Sequence, residues 1–274
     1  MTLAPMPSRA IFRKAAHMKV IVLGAGIIGV STAWHLLERG HEVTVVDRQA
    51  DAALETSFAN AAQISVSYCE PWANREAPLK ALKWMFSKEA PLLFRPTFDI
   101  HQWLWSLRFL SQCHDSAFER NVSQLVALGA YSHAALKDVV RSTGIDYQRL
   151  ERGIAHYYTD EASFDSAGSA AALMRRHGVA RRVEQVFPGV CDLSEPNYWT
   201  GLRPATPTNI PLIGRTRIGK LWVNAGHGTL GWTHGAGSGK AIAELISGRQ
   251  PQMAFGFLGQ TASRHTAAPL PSAG

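Results

Sequence analysis

Residues 18–49, MKVIVLGAGIIGVSTAWHLLERGHEVTVVDRQ, constrain the fold of this chain more than any other stretch. Residues 19–23 form a short, largely β-branched apolar run, which predicts a buried strand of a parallel sheet. Gly24-Ala-Gly26-Ile-Ile-Gly29 then turns the chain into a helix that extends to about Arg39. Gly40 stops that helix, and residues 41–47 read as a second strand. A strand, a helix and a parallel strand in this order make an α/β chain. The glycines have separate tasks: Gly24 for a tight turn, Gly26 for close approach of a pyrophosphate, Gly29 for close packing of helix on strand. The helix start offers free N–H groups and a positive dipole end to phosphates. Asp47 closes the second strand, where a carboxylate accepts ribose hydroxyls. It also repels a 2′-phosphate, which disfavours NADP and leaves FAD and NAD open.

Composition excludes several alternatives. No apolar run approaches the roughly 18 residues of a membrane span, and a mean hydropathy of -0.07 suits a globular protein. The net charge is +7, but Arg9, Arg13 and Lys14 stand in the first 17 residues, and Arg249 and Arg264 after residue 247, with no acid in either tail. The body is close to neutral, which argues against a nucleic-acid footprint. Cys69, Cys113 and Cys191 are odd in number and far apart, matching neither a disulfide framework nor a metal site. Such usage fits a reducing compartment.

Residues 54–65, LETSFANAAQIS, lack periodicity and are expected to form a loop, either a surface turn or, from its place straight after the fingerprint, a cofactor-contacting loop. From 75 to 150 the pattern is helical and aromatic. Trp84, Phe94, Phe98, Trp103, Trp105 and Phe109 are expected to fill a helix–helix core rather than a quinone or membrane contact. Residues 151–159 read as a strand, 159–178 as a helix and LWVNAG near 222 as a further strand. The glycine-rich LWVNAGHGTLGWTHGAGSGK that follows is not a nucleoside-triphosphate loop. That motif needs glycine at 234 and serine or threonine at 241, and the chain has His234 and Ala241.

VIVLGAGIIGVSTAWHL, GHEVTVVDRQ, ALETSFANAAQIS, PLKALKWMF, YWTGLRPATP and NAGHGTLGWT together resemble the D-amino-acid dehydrogenase small-subunit family of the FAD-dependent D-amino-acid oxidase and glycine oxidase superfamily. The resemblance covers 18–178 and 187–248 and implies an FAD-binding, Rossmann-like parallel sheet with a helical, partly β substrate region. It implies FAD contacts from Val20, Ile21 and Leu23 of the strand, and from Gly24, Ala25, Gly26, Ile27, Ile28 and Gly29 of the turn and helix start. Asp47 and Arg48, then Ser57 and Asn60, extend that surface. Gly226, His227, Gly228, Thr229, Leu230 and Gly231 would cap the flavin, His227 through its backbone. Arg203 would bind the substrate carboxylate, for which a planar guanidinium is suited.

The implied reaction is oxidative deamination of a D-amino acid, with hydride passing from the α-carbon to flavin N5 and electrons leaving to a membrane quinone. The implied place is cytoplasmic, peripheral to the inner membrane, with no metal. A non-catalytic FAD- or ADP-binding remnant and a related glycine or amine oxidase are the alternatives. Around 179–187 a long middle segment of the family is absent, so an internal deletion is expected to expose apolar sheet faces. The expected organisation is an extension at 1–17, FAD-binding parts at 18–70 and 187–248, a shortened substrate region at 71–186, and a disordered tail at 249–274.

Overall fold

The computed structural model describes residues 17–58, 63–84, 96–147, 149–150 and 203–260. Expectations for 151–187 lie outside the described residues. The first elements are β1 (Lys19–Leu23), α1 (Ile27–Leu37) and β2 (Glu42–Val46). A 3-10 turn at Val66–Tyr68 precedes α2 (Ala77–Trp84), α3 (Ile100–Leu110) and α4 (Asp115–Thr143). The chain then forms β3 (Leu212–Arg215), β4 (Trp222–Ala225), a 3-10 turn at Gly228–Leu230, and α5 (Gly231–Ile246).

β1 and β2 pair in parallel with Lys19 opposite Glu42 and Leu23 opposite Val46. The turn after β1 holds Gly24 at φ +105°, a conformation that favours glycine. A Cβ on Gly29 would lie 1.8 Å from the Gly24 carbonyl oxygen, so the third glycine lets the helix start sit directly on the turn. One expectation needs correction. β1 is parallel but not buried on both faces: Val22 is buried, while Ile21 and Leu23 are 67% and 78% exposed. The described parallel sheet has only two strands, and among the described residues no further layer covers that face.

β3 and β4 form a separate antiparallel pair, with Leu212 opposite Ala225. The sequence reading found β4 but not β3, whose four residues carry no periodic signal. Residues 249–260, expected as part of a disordered tail, are instead packed. Leu258 donates its N–H to the Ile213 carbonyl at 2.9 Å and accepts from Arg215 N–H at 3.1 Å, and Phe257 is buried. Phe255 and Phe257 are two residues apart and touch, with ring centroids 5.0 Å apart.

α5 is the centre of the described molecule, and α1 and α4 pack against it. Its burial extends around most of its circumference, which is possible because its first half is built from small residues. A Cβ on Gly237 would lie 2.5 Å from Ser132 Cα of α4, and one on Gly239 would lie 2.6 Å from the Ser31 carbonyl carbon of α1. The GAGSG run is therefore a helix-packing device. α4 presents Ala117, Asn121, Val122, Leu125, Leu128, Gly129, Ser132 and Ala135 at helical spacing to this core. Leu36 of α1 and Leu125 and Leu128 of α4 are fully buried, each worth about 1.5–3 kcal/mol. A half-buried polar clamp joins the same helices. The Arg39 guanidinium lies 3.0 Å from Glu244 Oε1, and the Tyr131 hydroxyl donates to Glu244 Oε2 at 2.8 Å.

The aromatic core expected from 98–109 does not form among the described residues. Phe98, Trp103 and Trp105 are exposed, and α3 buries no residue. No helix among the described residues is long and apolar enough to cross a membrane.

Several buried histidines are held neutral. His41 Nδ1 accepts from Met18 N–H at 3.3 Å, its Nε2–H donates to Ser247 Oγ at 2.8 Å, and that hydroxyl donates to the Ala243 carbonyl at 2.7 Å. Burial, helped by the charges of His17 and Arg39, lowers the His41 pKa. Burial also lowers His35 against the opposing bond to Glu38, and takes His234 down to about 4.

Two outcomes follow from this packing. Gly237→Ala and Gly239→Ala should each destabilise the chain by about 1–3 kcal/mol through overpacking, whereas Gly231→Ala, whose Cβ would meet nothing within 4 Å, should change stability by less than about 1 kcal/mol. Urea denaturation of the three variants checks this. The histidines set a pH dependence. Their folded pKa values lie below the ordinary 6.5, so the unfolded chain binds more protons in the interval. Stability is complete above about pH 6.5 and is lost as pH falls toward about 4, by roughly 1 kcal/mol or more in total. A flat unfolding free energy between pH 7.5 and 5 contradicts it.

Candidate functional site

The glycine turn is held by its neighbours' polar groups. Gly24 N–H donates to the Val46 carbonyl at 2.7 Å, tying the turn to the end of β2. Ala25 N–H donates to Asp47 Oδ2 at 2.5 Å, and Gln49 N–H to Asp47 Oδ1 at 2.8 Å. These bonds, that from Ala25 foremost, hold the Asp47 carboxyl below the usual carboxylate range. Each oxygen keeps lone-pair capacity for a further donor. At the start of α1, Ile27 N–H donates to Ser57 Oγ at 3.0 Å. A hydroxyl 30 residues away therefore satisfies one of the N–H groups that a helix start leaves without an intrahelical partner.

Beyond Asp47 the chain is strapped by a forked ion pair. Arg48 Nη2 lies 2.6 Å from Glu55 Oε2, Arg48 Nε bonds the other oxygen, and Gln49 Nε2 joins at 2.9 Å. An open groove of about 520 Å³ lies between this strap and α1, lined by Ala25, Val30, Val46, Asp47, Gln49 and Asp51. Val20, Ile21 and Leu23 lie on β1 beneath the turn, with Gly26 as the helix N-cap and Ile28 in the first turn. Asn60 lies outside the described residues.

The second half of the site begins where β4 ends. Gly226 takes φ +84°; His227 follows, Gly228, Thr229 and Leu230 make a 3-10 turn, and Gly231 opens α5. His227 is buried, and burial with the nearby His234 takes its pKa down to about 3. Its Nε2 and the Trp232 indole N–H are buried with no hydrogen-bond partner among the described residues. His234 Nε2–H donates to the Leu125 carbonyl at 3.1 Å, which fixes its tautomer and leaves Nδ1 without a partner. The Cys69 thiol lies 3.7 Å from the same ring and donates to the Ser65 carbonyl at 3.3 Å. Burial pushes that thiol up to about 12, so it is an inert core group.

The two halves meet. A Cβ on Gly235 would lie 2.9 Å from Ile27 Cγ1, so the opening turns of α1 and α5 are in direct contact. The 54–65 loop reaches both: Ser57 caps α1, and Ser65 N–H donates to Thr233 Oγ1 of α5 at 3.2 Å. Arg203 is exposed, and its backbone neighbours are pinned to the second half. Gly228 N–H donates to the Pro204 carbonyl at 2.9 Å, and Ala205 bridges antiparallel to His227.

Sequence reasoning missed three contributors. Thr233 was hidden in a run read for its glycines, and the capping role of Ser57 is long-range. Trp105, whose indole donates to the Ala205 carbonyl at 3.1 Å, was assigned to a core; its spacing of four from Phe109 was the available signal.

The residues present fit a dinucleotide. The glycine turn and the adjoining groove form an open cradle, Asp47 keeps acceptor capacity at its edge, and the unpartnered Trp232 and His227 nitrogens stand near the start of α5. Comparison with known proteins agrees. The chain is similar to the D-amino acid dehydrogenases of Dechloromonas aromatica (29% identity over 416 residues, 88% of this chain and 100% of that protein) and Paramagnetospirillum magneticum (28% over 413 residues, 88% and 98%). It is likewise similar to D-amino acid dehydrogenase 1 of Mesorhizobium japonicum (26% over 406 residues, 86% and 97%). As 88% of 274 residues is about 240, about 175 of the 416 positions aligned with the first have no residue of this chain opposite them. No solved structure matches. The profile of the DAO family, FAD dependent oxidoreductase, matches residues 19–183 and 175–245 in two segments that meet beside the expected deletion. The chain belongs to the FAD dependent oxidoreductase (DAO) family.

Proposed function

We propose that the chain is an FAD-dependent dehydrogenase of D-amino acids. The observation that carries this reading is the contact between Ile27 and Gly235, which brings the glycine turn and the GHGTLGW turn into one site. Bound FAD supplies the hydride acceptor for oxidising a D-amino acid to an imino acid, which water converts to a 2-oxo acid and ammonia.

The chain's own residues bind and orient. The N–H groups of Gly26, Ile27 and Ile28 serve the pyrophosphate, with the Ser57 hydroxyl beside them, and Asp47 accepts from the ribose. Val20, Ile21, Leu23, Ala25, Gly29 and Arg48 shape and support the adenosine side. Backbone groups from Gly226 to Gly231 hold the flavin end, and the buried Trp232 N–H offers it a donor. Arg203 anchors the substrate carboxylate in a bidentate, charge-assisted contact. Neutral His227 needs no acid–base role if the amine enters unprotonated. The reading takes a membrane quinone as electron acceptor, which puts the protein at the cytoplasmic face of the inner membrane.

One observation favours a second reading, a flavin- or ADP-binding remnant without turnover. The relatives carry residues that this chain lacks, and Ile21 and Leu23 of β1 are exposed. Anaerobic addition of D-alanine to the FAD-incubated protein separates the two. Bleaching of the flavin band supports the dehydrogenase; flavin retained and unbleached by a panel of D-amino acids supports the remnant; no flavin retained refutes both.

For an active chain, Arg203→Lys should weaken D-amino-acid binding about tenfold or more, with FAD retention unchanged, because a bidentate charge-assisted contact is lost. Asp47→Ala should weaken FAD about tenfold or more on the same grounds. Anaerobic titration of the flavin spectrum and equilibrium dialysis with FAD read the two effects separately.

A further inference from the structure

We propose that Trp105 and Phe109 of α3 form the wall against which the substrate side chain lies, and that they favour D-amino acids with aromatic or large apolar side chains. The inference rests on the reading of Arg203 as the carboxylate anchor. It begins with how α3 meets the rest of the described molecule. Trp105 donates its indole N–H to the Ala205 carbonyl at 3.1 Å, two residues beyond Arg203. Ala205 is itself bridged to His227, and its Cβ would lie 3.7 Å from a Cβ on Gly228. Arg203 adjoins Pro204, whose carbonyl accepts from Gly228 N–H at 2.9 Å, so the residue that follows Arg203 is held against the same turn.

A carboxylate held by Arg203 has its α-carbon one bond further on and its side chain within reach of whatever borders Ala205. The glycine and alanine there leave room, and the bordering bulk is aromatic. Trp105 stacks on Phe109 with centroids 5.3 Å apart and planes 9° apart, so Phe109 backs the indole and holds its plane. The indole donor is already satisfied, so the ring's orientation is fixed and the surface it offers is apolar. Trp105 remains 38% exposed, unlike a tryptophan used only to dock a helix. A fixed, satisfied, partly open aromatic plane beside a cation suits a ligand with a carboxylate at one end and a ring or branched alkyl group at the other.

The test uses the full chain incubated with FAD and two carboxylates that cannot be oxidised at an amine, 3-phenylpropanoate and propanoate, with binding read by calorimetry. Wild-type protein should bind 3-phenylpropanoate more tightly, by about tenfold, in line with one aromatic contact plus the area it covers. Trp105→Ala should remove most of that preference and leave propanoate within about twofold, while Trp105→Phe should retain most of it. Phe109→Leu, which keeps the indole anchored, should narrow the preference and serves as the second variant if Trp105→Ala does not fold. Arg203→Ala should weaken both ligands. If Arg203→Ala weakens both but Trp105→Ala and Phe109→Leu leave the ratio unchanged, the aromatic wall is overturned and the carboxylate anchor stands. If Arg203→Ala affects neither ligand, or wild type binds neither, the anchor fails and the inference fails with it.

Discussion

The structure depends on the close approach that α5 permits. A helix buried around most of its surface must lie against its neighbours without large side chains at the contacts, and Gly235, Gly237 and Gly239 provide this. The close approach puts backbone dipoles and small polar groups, such as the Ser132 hydroxyl that accepts from Gly237 N–H at 2.9 Å, at the centre of the core. Leu36, Leu128 and Ile242 then supply apolar burial on either side. The Arg39–Glu244–Tyr131 clamp adds direction to a contact that is otherwise non-directional. The glycine run that resembled a phosphate loop thus has a mechanical task.

What was legible in the sequence was local. The parallel pair of β1 and β2 came from two short apolar runs, the helix between them from its glycine boundaries, and β4 with its following turn from one continuous motif. These signals sit within a few residues of the structure they specify. The parts that were not legible depend on distant partners. β3 is four residues long and exists by pairing with β4 and bridging to Leu258, so nothing in PLIG alone announces it. Phe257 looks like a tail residue until the β3 side chains are there to receive it. Ser57 resembles any loop serine, and only the fold sets it against Ile27.

The error over α3 has a different origin. Its aromatic residues were assigned to a helix–helix core from their helical, aromatic pattern alone, and that pattern does not say whether a partner surface is present. Among the described residues no such surface exists, and Trp103, Leu104, Leu107 and Leu110 lie open. The same absence leaves Ile21 and Leu23 exposed on β1. At about 25 cal/mol per Å² of apolar surface, uncovered faces of this size are a substantial fraction of a stability margin of about 5–15 kcal/mol. The open sheet edge and open helix are also the surfaces most prone to association.

That cost falls on stability more than on the geometry of the site. The glycine turn after β1 is set by Gly24, Asp47 and Ser57, all within or beside the first βαβ unit. The opposite half is set by α5, and α5 is positioned by α1 and α4 rather than by the width of the sheet. The contact between Ile27 and Gly235 is made by α1 and α5 directly, and it stands with only two parallel strands among the described residues. Asp47 and Ser57 also hold the turn with existing bonds, so a ligand exchanges partners there instead of ordering a loose loop. Pre-organisation of this kind lowers the entropic cost of binding. A chain shorter than its relatives can thus keep the arrangement of its two glycine turns while leaving much apolar surface open.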